Sequence, residues 1–525
     1  MKRLVLFSAT ALICTFSLGI TAQAGDTDGK GLWLSAGHNV SNTRFQADEV
    51  RITPRNVARL GPKWIFTTAG EVSATPAVDA QRVYVPDWKG NLYAVDRFTG
   101  TQLWSTKIAS ATGVFNDLAR ATPALSGDLL VIGTQGRNGG GGNLLAYKAS
   151  TGALVWKTLL DPSPFAIITQ SATVSGGVAY IGVASNEEGV AVQPGYPCCS
   201  FRGSMMAVDL ATGAILWKTY MVPLGYTGGA IWGSSPAVDS GRGQVYIATG
   251  NNYSVPPSTL SCVASAGSDV AAIKACLPAD NMIDAIVALD LSSGRVNWST
   301  AALPYDAWTV SCIPFLGDGS NCPQPAGPDY DFGQAPALFT VKHTGKPFQL
   351  VGAGQKSGQY WALDPDTGAV KWVTQAGPGG TGGGLQWGSA VDDRRIYTAN
   401  ANSDVKPTVV RGNTVSTGVW SALDKATGAL LWQQTTPSGR TGGLLGTTSG
   451  PVTTANGVVF GCSLDTLGYM YAMDAATGDM LWEFASGGSC LSGASVSNGM
   501  VFWGSGYTNF GAGTFNNKLY AFEVK

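Results

Sequence analysis

The chain repeats one pattern of apolar and polar positions. In each copy a largely apolar run, usually ending in Asp, leads into a Thr-Gly or Ser-Gly pair, and a second short run ends in Trp. Such runs on either side of a glycine turn are typical of a β-hairpin. The seven copies are LYAVDRFTGTQLW (92–104), LLAYKASTGALVW (144–156), MMAVDLATGAILW (205–217), IVALDLSSGRVNW (286–298), YWALDPDTGAVKW (360–372), WSALDKATGALLW (420–432) and MYAMDAATGDMLW (470–482).

A second pair of strands precedes each copy, as in ATPAVDAQRVYVPD (74–87), so each unit predicts a four-stranded antiparallel propeller blade. The chain ends in LYAFEVK (519–525), the first half of a copy, and LGPKWIF (60–66) supplies a second half with Trp64 in the Trp position. We therefore predict an all-β, eight-bladed β-propeller that is closed by pairing of the N- and C-terminal strands. Closure fastens the ring and hides the edges that an open sheet would leave.

The repeat tryptophans are expected to pack between blades. Their spacing grows from 40 residues between Trp64 and Trp104 to 81 between Trp217 and Trp298, which places long loops at 186–204, 251–282 and 303–333. Long loops on a rigid ring often carry function.

The first residues predict a secretory signal peptide. Lys2 and Arg3 precede an apolar stretch, and Ala22-Gln23-Ala24 is a cleavage site of small residues. We assign 1–24 to the signal peptide and 25–525 to a single propeller domain; a retained N-terminal anchor is the alternative. No later run is apolar enough to cross a bilayer.

Charge and composition exclude some classes of partner. Loss of Lys2 and Arg3 changes the formal charge from -1 to -3, and only 13% of residues are charged. This balance argues against binding of nucleic acid or of anionic membranes. Seventy glycines and 16 tryptophans indicate a turn-rich β protein.

The cysteines indicate an oxidising compartment. Eight of the nine follow the signal peptide, since only Cys14 lies within it. The connectivity stays open, but the natural neighbours are Cys262/Cys276, Cys312/Cys322 and Cys462/Cys490, with Cys198 and Cys199 adjacent. There is no CxxCH haem motif and no His/Cys zinc pattern.

One aspartate is a candidate base. Asp306 lies in YDAW (305–308), in a long loop of a chain that has only two histidines. On its own it is readily explained as a turn residue.

The repeat Ala-x-Asp-x-x-Thr-Gly-x-x-x-Trp resembles that of the quinoprotein alcohol dehydrogenases, eight-bladed propellers that hold pyrroloquinoline quinone (PQQ) and Ca²⁺. The resemblance covers the whole mature chain. A non-catalytic scaffold of the outer-membrane assembly machinery shares such repeats and binds no cofactor, so the loop residues must separate the two functions.

The resemblance implies a metal site and a base. Glu187 in SNEEG matches the calcium carboxylate, with Glu188 as the alternative, and Asn251 in ATGN matches the amide ligand, with Asn252 as the alternative. Asp306 matches the family's catalytic aspartate and a further calcium ligand. Hard oxygen ligands suit Ca²⁺, which polarises the quinone carbonyl while the base takes the hydroxyl proton and hydride moves to PQQ.

The resemblance also implies the cofactor contacts. Trp232 in AIWGSSP matches the flat floor under PQQ, and Thr169 matches a residue that contacts the cofactor. Lys356 in GQKSG and Arg120 in LARATPA match cations that meet quinone oxygens and carboxylates.

Two departures from the family concern this site. Family members often carry adjacent cysteines before the Arg, whereas Cys198 and Cys199 come after Glu187; a vicinal disulfide over the same site is expected, and separate bridges are the alternative. The family's first-blade Glu is Ser73 here, and Glu71 is out of register.

The segment EEGVAVQPGYPCCSFRGS resembles the polyvinyl alcohol dehydrogenase branch. This implies a periplasmic enzyme that oxidises secondary hydroxyls of a polymer and passes electrons to a separate cytochrome c; small primary or secondary alcohols remain alternative substrates. The competing hypothesis is a cofactor-free propeller that serves as an interaction scaffold.

Overall fold

The computed structural model describes Met1 and residues 30–342, 345–437, 445–511 and 513–525. The predicted signal peptide, apart from Met1, lies outside the described residues. Within the described ranges, no helix has the length and apolar character that crossing a membrane requires.

The structure confirms the eight-bladed propeller, and blades 1 to 4 each use strands consecutive along the chain. From the channel outward these are Ala77–Val78, Arg82–Pro86, Asn91–Asp96 and Gln102–Lys107 in blade 1; Ala124–Ser126, Leu129–Gly133, Gly142–Lys148 and Leu154–Asp161 in blade 2; Thr173–Ser175, Val178–Ser185, Ser204–Asp209 and Ile215–Tyr220 in blade 3; and Ala237–Asp239, Gln244–Ala248, Ala285–Asp290 and Val296–Ala301 in blade 4. Ala166–Ile167 also pairs with the second strand of blade 3.

Blades 5 to 8 complete the ring. Their strands are Ala337–Val341, Phe348–Gly354, Gln359–Leu363 and Val370–Gln375 in blade 5; Ala390–Val391, Arg395–Asn400, Val419–Asp424 and Leu430–Thr435 in blade 6; Thr453–Ala455, Val458–Cys462, Tyr469–Asp474 and Met480–Ala485 in blade 7; and Ser495–Ser497, Met500–Gly504, Lys518–Val524 and Leu60–Thr67 in blade 8. A hairpin of Thr408–Val410 and Asn413–Val415 is inserted in blade 6.

Short helices lie in the loops. The α-helices are Ile108–Thr112, Glu187–Val190, Pro257–Ala266 and Val270–Ala275, and the 3₁₀ helices are Val57–Arg59, Arg137–Gly139, Val310–Cys312 and Asn509–Gly511.

The predicted ring closure is confirmed. Leu60–Thr67 pairs antiparallel with Lys518–Val524, and Trp64 lies opposite Ala521. The last blade therefore combines the C-terminal strand with a strand from the N-terminal part of the chain, and this pairing closes the ring.

The repeated phrase works as a joint between neighbouring blades. In blade 1, Oδ1 of Asp96 accepts from the N–H of Phe98 and of Thr99, and Gly100 has a φ of 75°. A Cβ on Gly100 would lie 2.7 Å from the ring of Trp64 in blade 8. The glycine is thus required both by the left-handed turn and by the tryptophan packed against it.

The tryptophan indoles tie blades together, as expected. Seven of the eight repeat tryptophans donate their indole N–H to a backbone carbonyl of the next blade at 2.9–3.1 Å: Trp64 to Arg97, Trp104 to Ala149, Trp156 to Leu210, Trp217 to Leu291, Trp298 to Pro365, Trp432 to Ala475 and Trp482 to Leu60. The indole N–H of Trp372 has no partner among the described residues.

A segment that precedes the first blade, residues 31–48, crosses the end of the channel where the innermost strands terminate. It forms backbone hydrogen bonds or strand pairs with six blades, through Val78, Leu125, Val238, Leu338, Val391 and Thr454. We name residues 31–48 the N-terminal plug. The sequence patterns did not predict it, because it carries no copy of the repeat.

Candidate active site

Loops from three successive blades meet on the face of the ring opposite the N-terminal plug. Because neighbouring strands in a blade are antiparallel, the end of the second strand, the end of the fourth and the start of the first lie at the same edge. The predicted residues at this edge, in blades 3, 4 and 5, are Glu187, Glu188, Asn251, Asp306 and Lys356.

The side chain of Asn251 is fully buried and only half satisfied. Its Nδ2 donates to the carbonyl of Trp308 over 2.9 Å, and its backbone N–H donates to Oδ1 of Asp331 over 2.7 Å. Its Oδ1 is a buried acceptor without a hydrogen-bond partner among the described residues. Since an unpaired buried acceptor is costly, this oxygen is suited to a metal or cofactor.

Asp306 is held rigidly beside Asn251. Its carboxylate accepts from the N–H of Asp329 over 3.2 Å and from the N–H of Tyr330 over 2.8 Å, and its own carbonyl accepts from the N–H of Asn252. Burial raises the pKa of Asp306 to about 6, with a further rise from Asp331, while the two N–H donors oppose the rise. The side chain is 0% exposed. A carboxylate with this pKa is ionised at neutral pH and still basic.

Lys356 binds two aspartates that the sequence reasoning missed. Its Nζ lies 2.8 Å from Oδ1 of Asp329 and 2.9 Å from Oδ2 of Asp331. Burial alone would lower the pKa of Lys356, but Asp329, Asp331 and Glu188 raise it well above its ordinary value. The available signal was the pair of acids in PDYDFG, directly before the first strand of blade 5.

The two adjacent glutamates have different surroundings. The carboxylate of Glu187 accepts from the hydroxyl of Tyr196, from the N–H and Oγ of Ser200 and from the N–H of Phe201, at 2.6–2.9 Å. Through these four bonds Glu187 holds its own loop. Burial raises the pKa of Glu188 to about 8, the charge of Asp331 adds to the rise and that of Lys356 opposes it. Glu188 thus interacts electrostatically with the charged groups around Asp306.

Asp284 is a further acid that the sequence reasoning missed. Both of its side-chain oxygens are buried without a hydrogen-bond partner among the described residues. Burial, followed by the charges of Asp306 and Asp331, raises the pKa of Asp284 well above its ordinary value. No motif marked this residue, because it lies inside the sequence MIDAIVALD, which reads as the start of a strand.

Among the described residues, the cluster around Lys356 has more acidic than basic side chains. One ammonium, Lys356, interacts with the carboxylates of Glu188, Asp284, Asp306, Asp329 and Asp331. Within the described ranges, no three His, Cys, Asp or Glu side chains are grouped so that they alone would hold a metal. A cation here must therefore also use Asn251 Oδ1 or oxygens of a bound molecule, a mixed oxygen set that suits Ca²⁺.

Trp232 and Thr169 lie beside this cluster. The indole N–H of Trp232 is buried without a partner in the described protein, and a Cβ on Gly250 would meet both this nitrogen and Oδ1 of Asp331, at 2.8 and 2.5 Å. Thr169 donates its hydroxyl to the carbonyl of Trp232. The half-buried ring of Trp232 thus offers an aromatic surface next to the acids.

The expected vicinal disulfide is present. Cys198 and Cys199 are bonded to each other, and the loop that follows them binds Glu187 through Ser200 and Phe201. Ser200, which directly follows Cys199, binds Glu187, so the disulfide lies in a loop that contacts the site. The other three bridges are also confirmed: Cys262–Cys276, Cys312–Cys322 and Cys462–Cys490.

Arg120 packs against two tryptophans and lines a small cavity. Its guanidinium carbon is 5.7 Å from the ring centre of Trp88 and 5.2 Å from that of Trp387. Together with Thr169 it lines a cavity of about 70 Å³. Ser73 accepts from the indole of Trp88, and the carboxylate of Glu71 accepts from Thr508 instead of lining this cavity.

The chain is similar to known propellers over most of its length. A family model described as outer membrane protein assembly factor BamB matches residues 23–300 and 416–523, which contain the repeats of seven blades in whole or in part. The chain is 30% identical to the polyvinylalcohol dehydrogenase of Sphingopyxis sp. (strain 113P3), covering 94% of this chain and 76% of that protein. It is 29% identical to the polyvinylalcohol dehydrogenase of a Pseudomonas species, over 94% and 77% of the two chains.

A solved structure shows the same fold. The quinohemoprotein alcohol dehydrogenase from Comamonas testosteroni superposes with a TM-score of 0.70 at 20% identity, covering 96% of this chain and 81% of that chain. The repeats, the closed eight-bladed ring and the 30% identical relative agree, and this chain belongs to the quinoprotein alcohol dehydrogenase family, on the branch of the polyvinyl alcohol dehydrogenases.

Proposed function

We propose that this chain is a periplasmic PQQ- and Ca²⁺-dependent dehydrogenase that oxidises secondary hydroxyls, including those of polyvinyl alcohol, and passes electrons to a separate cytochrome c. The observation that carries the proposal is Asp306, a buried carboxylate held by two backbone N–H groups, whose own carbonyl pairs with Asn252, the neighbour of Asn251. The Oδ1 of Asn251 is a buried acceptor without a partner among the described residues. The polymer substrate is supported by the name of the 30% identical relative, a polyvinylalcohol dehydrogenase, and a separate electron acceptor is proposed because the given sequence has no CxxCH motif.

The residues fit a calcium ion and a polycarboxylate quinone. For Ca²⁺ we assign Asn251, Asp306 and Glu188, and we prefer Glu188 to Glu187 because the oxygens of Glu187 already accept four hydrogen bonds. For PQQ we assign Trp232, Thr169, Arg120 and Lys356, with the Cys198–Cys199 disulfide as a further contact. When bound, PQQ supplies the two-electron acceptor and Ca²⁺ a Lewis acid.

The protein's own part in the reaction is to place and move a proton. The backbone donors of Asp329 and Tyr330 orient the carboxylate of Asp306, which accepts the proton of the substrate hydroxyl. Lys356 neutralises Asp329 and Asp331 next to it, which limits the negative charge that would otherwise keep Asp306 protonated.

A scaffold without cofactor is the second candidate, because the matching family model is described as an assembly factor. The gathering of Glu188, Asp284, Asp306, Asp329 and Asp331 around one lysine argues against it, since a structural ring does not need a buried excess of acid. Closure of the ring depends on the repeat and does not require these side chains.

The test is a dye-reduction assay on the purified mature chain with PQQ and Ca²⁺, using polyvinyl alcohol, 2-butanol and methanol. We expect activity that requires both additions and is abolished by EDTA or by omission of PQQ. Higher activity on 2-butanol and polyvinyl alcohol than on methanol would support a preference for secondary hydroxyls. Absence of activity, together with no quenching of tryptophan fluorescence by PQQ, would favour the scaffold.

A further inference from the structure

Arg44 is a buried cation on the N-terminal plug. Its side chain is 1% exposed, and Nε donates to the carbonyl of Val452 over 2.7 Å, while Nη1 donates to the carbonyl of Ala36. Nη2 donates to the hydroxyls of Thr75 and Thr453 at 3.2 and 3.3 Å. All of these acceptors are neutral, and no described carboxylate lies within ion-pair distance of the guanidinium.

Arg44 reaches the same cavity as Arg120. The cavity of about 70 Å³ lies between the N-terminal plug and the candidate active site, because its walls include Arg44 from the plug and Thr169 and Arg120 from the site. Its remaining polar walls are hydroxyls: Ser73, Thr75, Thr122, Ser171 and Ser234. No acidic side chain is among its lining residues in the described protein.

Two cations and several hydroxyl donors around one cavity lack a compensating charge. A buried charge that is only hydrogen-bonded to neutral groups is costly compared with a paired one. Burial accordingly lowers the pKa of the Arg44 guanidinium to about 9, and no acid raises it. The volume has room for a group such as a carboxylate or for a few waters.

We propose that the cavity is an anion site for a carboxylate, which Arg44 completes from the plug side while Arg120 and the hydroxyls contact it from the blades. The inference rests on the proposed function for the source of the carboxylate, which is one of the three on PQQ; a free small carboxylate has the same chemistry. The N-terminal plug then contributes to cofactor binding, although it contains no part of the repeat.

The first experiment is a PQQ titration of the full mature chain in Ca²⁺, followed by quenching of tryptophan fluorescence. Arg44→Gln removes the charge and keeps amide donors, and we expect the Kd for PQQ to rise about tenfold, the loss of one charged hydrogen bond. The matched control is Arg97→Gln. Arg97 is also buried and donates to backbone carbonyls, of Asp79 and Ser497, but it does not line the cavity. Its substitution should leave the Kd within about twofold.

A second arm uses acetate at constant ionic strength, without PQQ, and measures the melting temperature. Acetate should raise the melting temperature of the unaltered chain and of Arg97→Gln, but not that of Arg44→Gln. Acetate should also compete with PQQ on the unaltered chain, a measurement that needs no variant if Arg44→Gln does not fold.

The outcomes separate the two proposals. No PQQ binding by the unaltered chain, with stabilisation by acetate that depends on Arg44, would overturn the proposed function and retain the anion site. Equal PQQ affinity in the unaltered chain and Arg44→Gln, without acetate stabilisation, would overturn the anion site and retain the proposed function. If Arg44→Gln does not fold, absence of acetate competition overturns the anion site by itself.

Discussion

The backbone N–H of Asn251 donates to Oδ1 of Asp331 over 2.7 Å and so joins the site loops of blades 4 and 5. Oδ2 of Asp331 in turn lies 2.9 Å from Nζ of Lys356. The first bond fixes the peptide of Asn251, and Nδ2 fixes its side chain by donating to the carbonyl of Trp308. The side-chain Oδ1 has no partner among the described residues. The relationship connects the proposed metal ligand to the proposed cofactor cation through one carboxylate.

Removal of the proposed base should stop turnover. In Asp306→Asn, we expect kcat/KM to fall by about 10²–10⁴-fold, because an amide cannot accept the hydroxyl proton. The measurement is dye-linked alcohol oxidation with PQQ and Ca²⁺, alongside the melting temperature. Asp209→Asn, in an exposed turn of blade 3, is the control and should keep full activity. Near wild-type activity of Asp306→Asn would rule out the assigned role.

The two glutamates should separate metal binding from loop stability. Glu188→Gln should weaken Ca²⁺ affinity, since it removes a carboxylate that faces Asp331 and Lys356. Glu187→Gln should mainly loosen the loop it holds, at a cost of about 1–3 kcal/mol in stability. Calcium titration by calorimetry and thermal melting of both variants test this. If Glu187→Gln loses more calcium affinity than Glu188→Gln, Glu187 is the calcium ligand.

The metal-free chain should lose stability as the pH rises. Burial raises the pKa of Asp306 to about 6 and that of Glu188 to about 8, above their ordinary values of 3.8 and 4.5. The folded chain therefore binds these protons more tightly than the unfolded chain, and the stability present below about pH 4 is lost up to about pH 8.

Melting temperatures in EDTA from pH 4 to 9 measure this loss. Calcium should restore more stability at pH 8 than at pH 5, because it favours the ionised carboxylates. Glu188→Gln is the matched variant, and it should flatten the upper part of the profile. A profile in EDTA that does not fall over this range would contradict the assigned burial of these acids.

The turn glycines should divide into two classes. Gly152 has a φ of 72°, and a Cβ there would lie 2.6 Å from the ring of Trp104, whereas Gly176 has a φ of 58° with open space around it. We expect Gly152→Ala to destabilise by about 3 kcal/mol and Gly176→Ala by about 1 kcal/mol, the difference being the clash. Denaturant unfolding compares them, and equal losses would refute the role of the tryptophan contact.

The vicinal disulfide should matter for cofactor binding, and the Cys262–Cys276 disulfide should not. Replacing Cys198 and Cys199 by Ser should weaken PQQ binding, because they lie in the loop whose next residues, Ser200 and Phe201, bind Glu187. The control replaces Cys262 and Cys276, which join two helices in the 251–282 loop. Fluorescence titration with PQQ measures both, and equal affinities in the two variants would count against the contact.

The positions of several candidate site residues were predictable because short motifs resemble those of a known family. Asn251, Asp306 and Lys356 stand at strand ends in short motifs, and the structure places them at one edge of neighbouring blades. Asp329, Asp331 and Asp284 escaped, since their role depends on which side chain faces them across blades. The choice between Glu187 and Glu188 also escaped, because adjacent residues share every local signal.

The sequence by itself determined the ring. A thirteen-residue phrase occurs seven times, with half a copy near each end, and each copy specifies a β-hairpin. Its Asp and Gly form the turn, and its Trp packs against the neighbouring blade. These interactions are encoded within each copy and its neighbour. Only the tertiary structure decided what meets at the centre. Arg44 and Arg120 are 76 positions apart in the sequence and line one cavity because the plug crosses the channel. Contacts of this kind depend on the closed ring, and no periodic pattern along the chain encodes them.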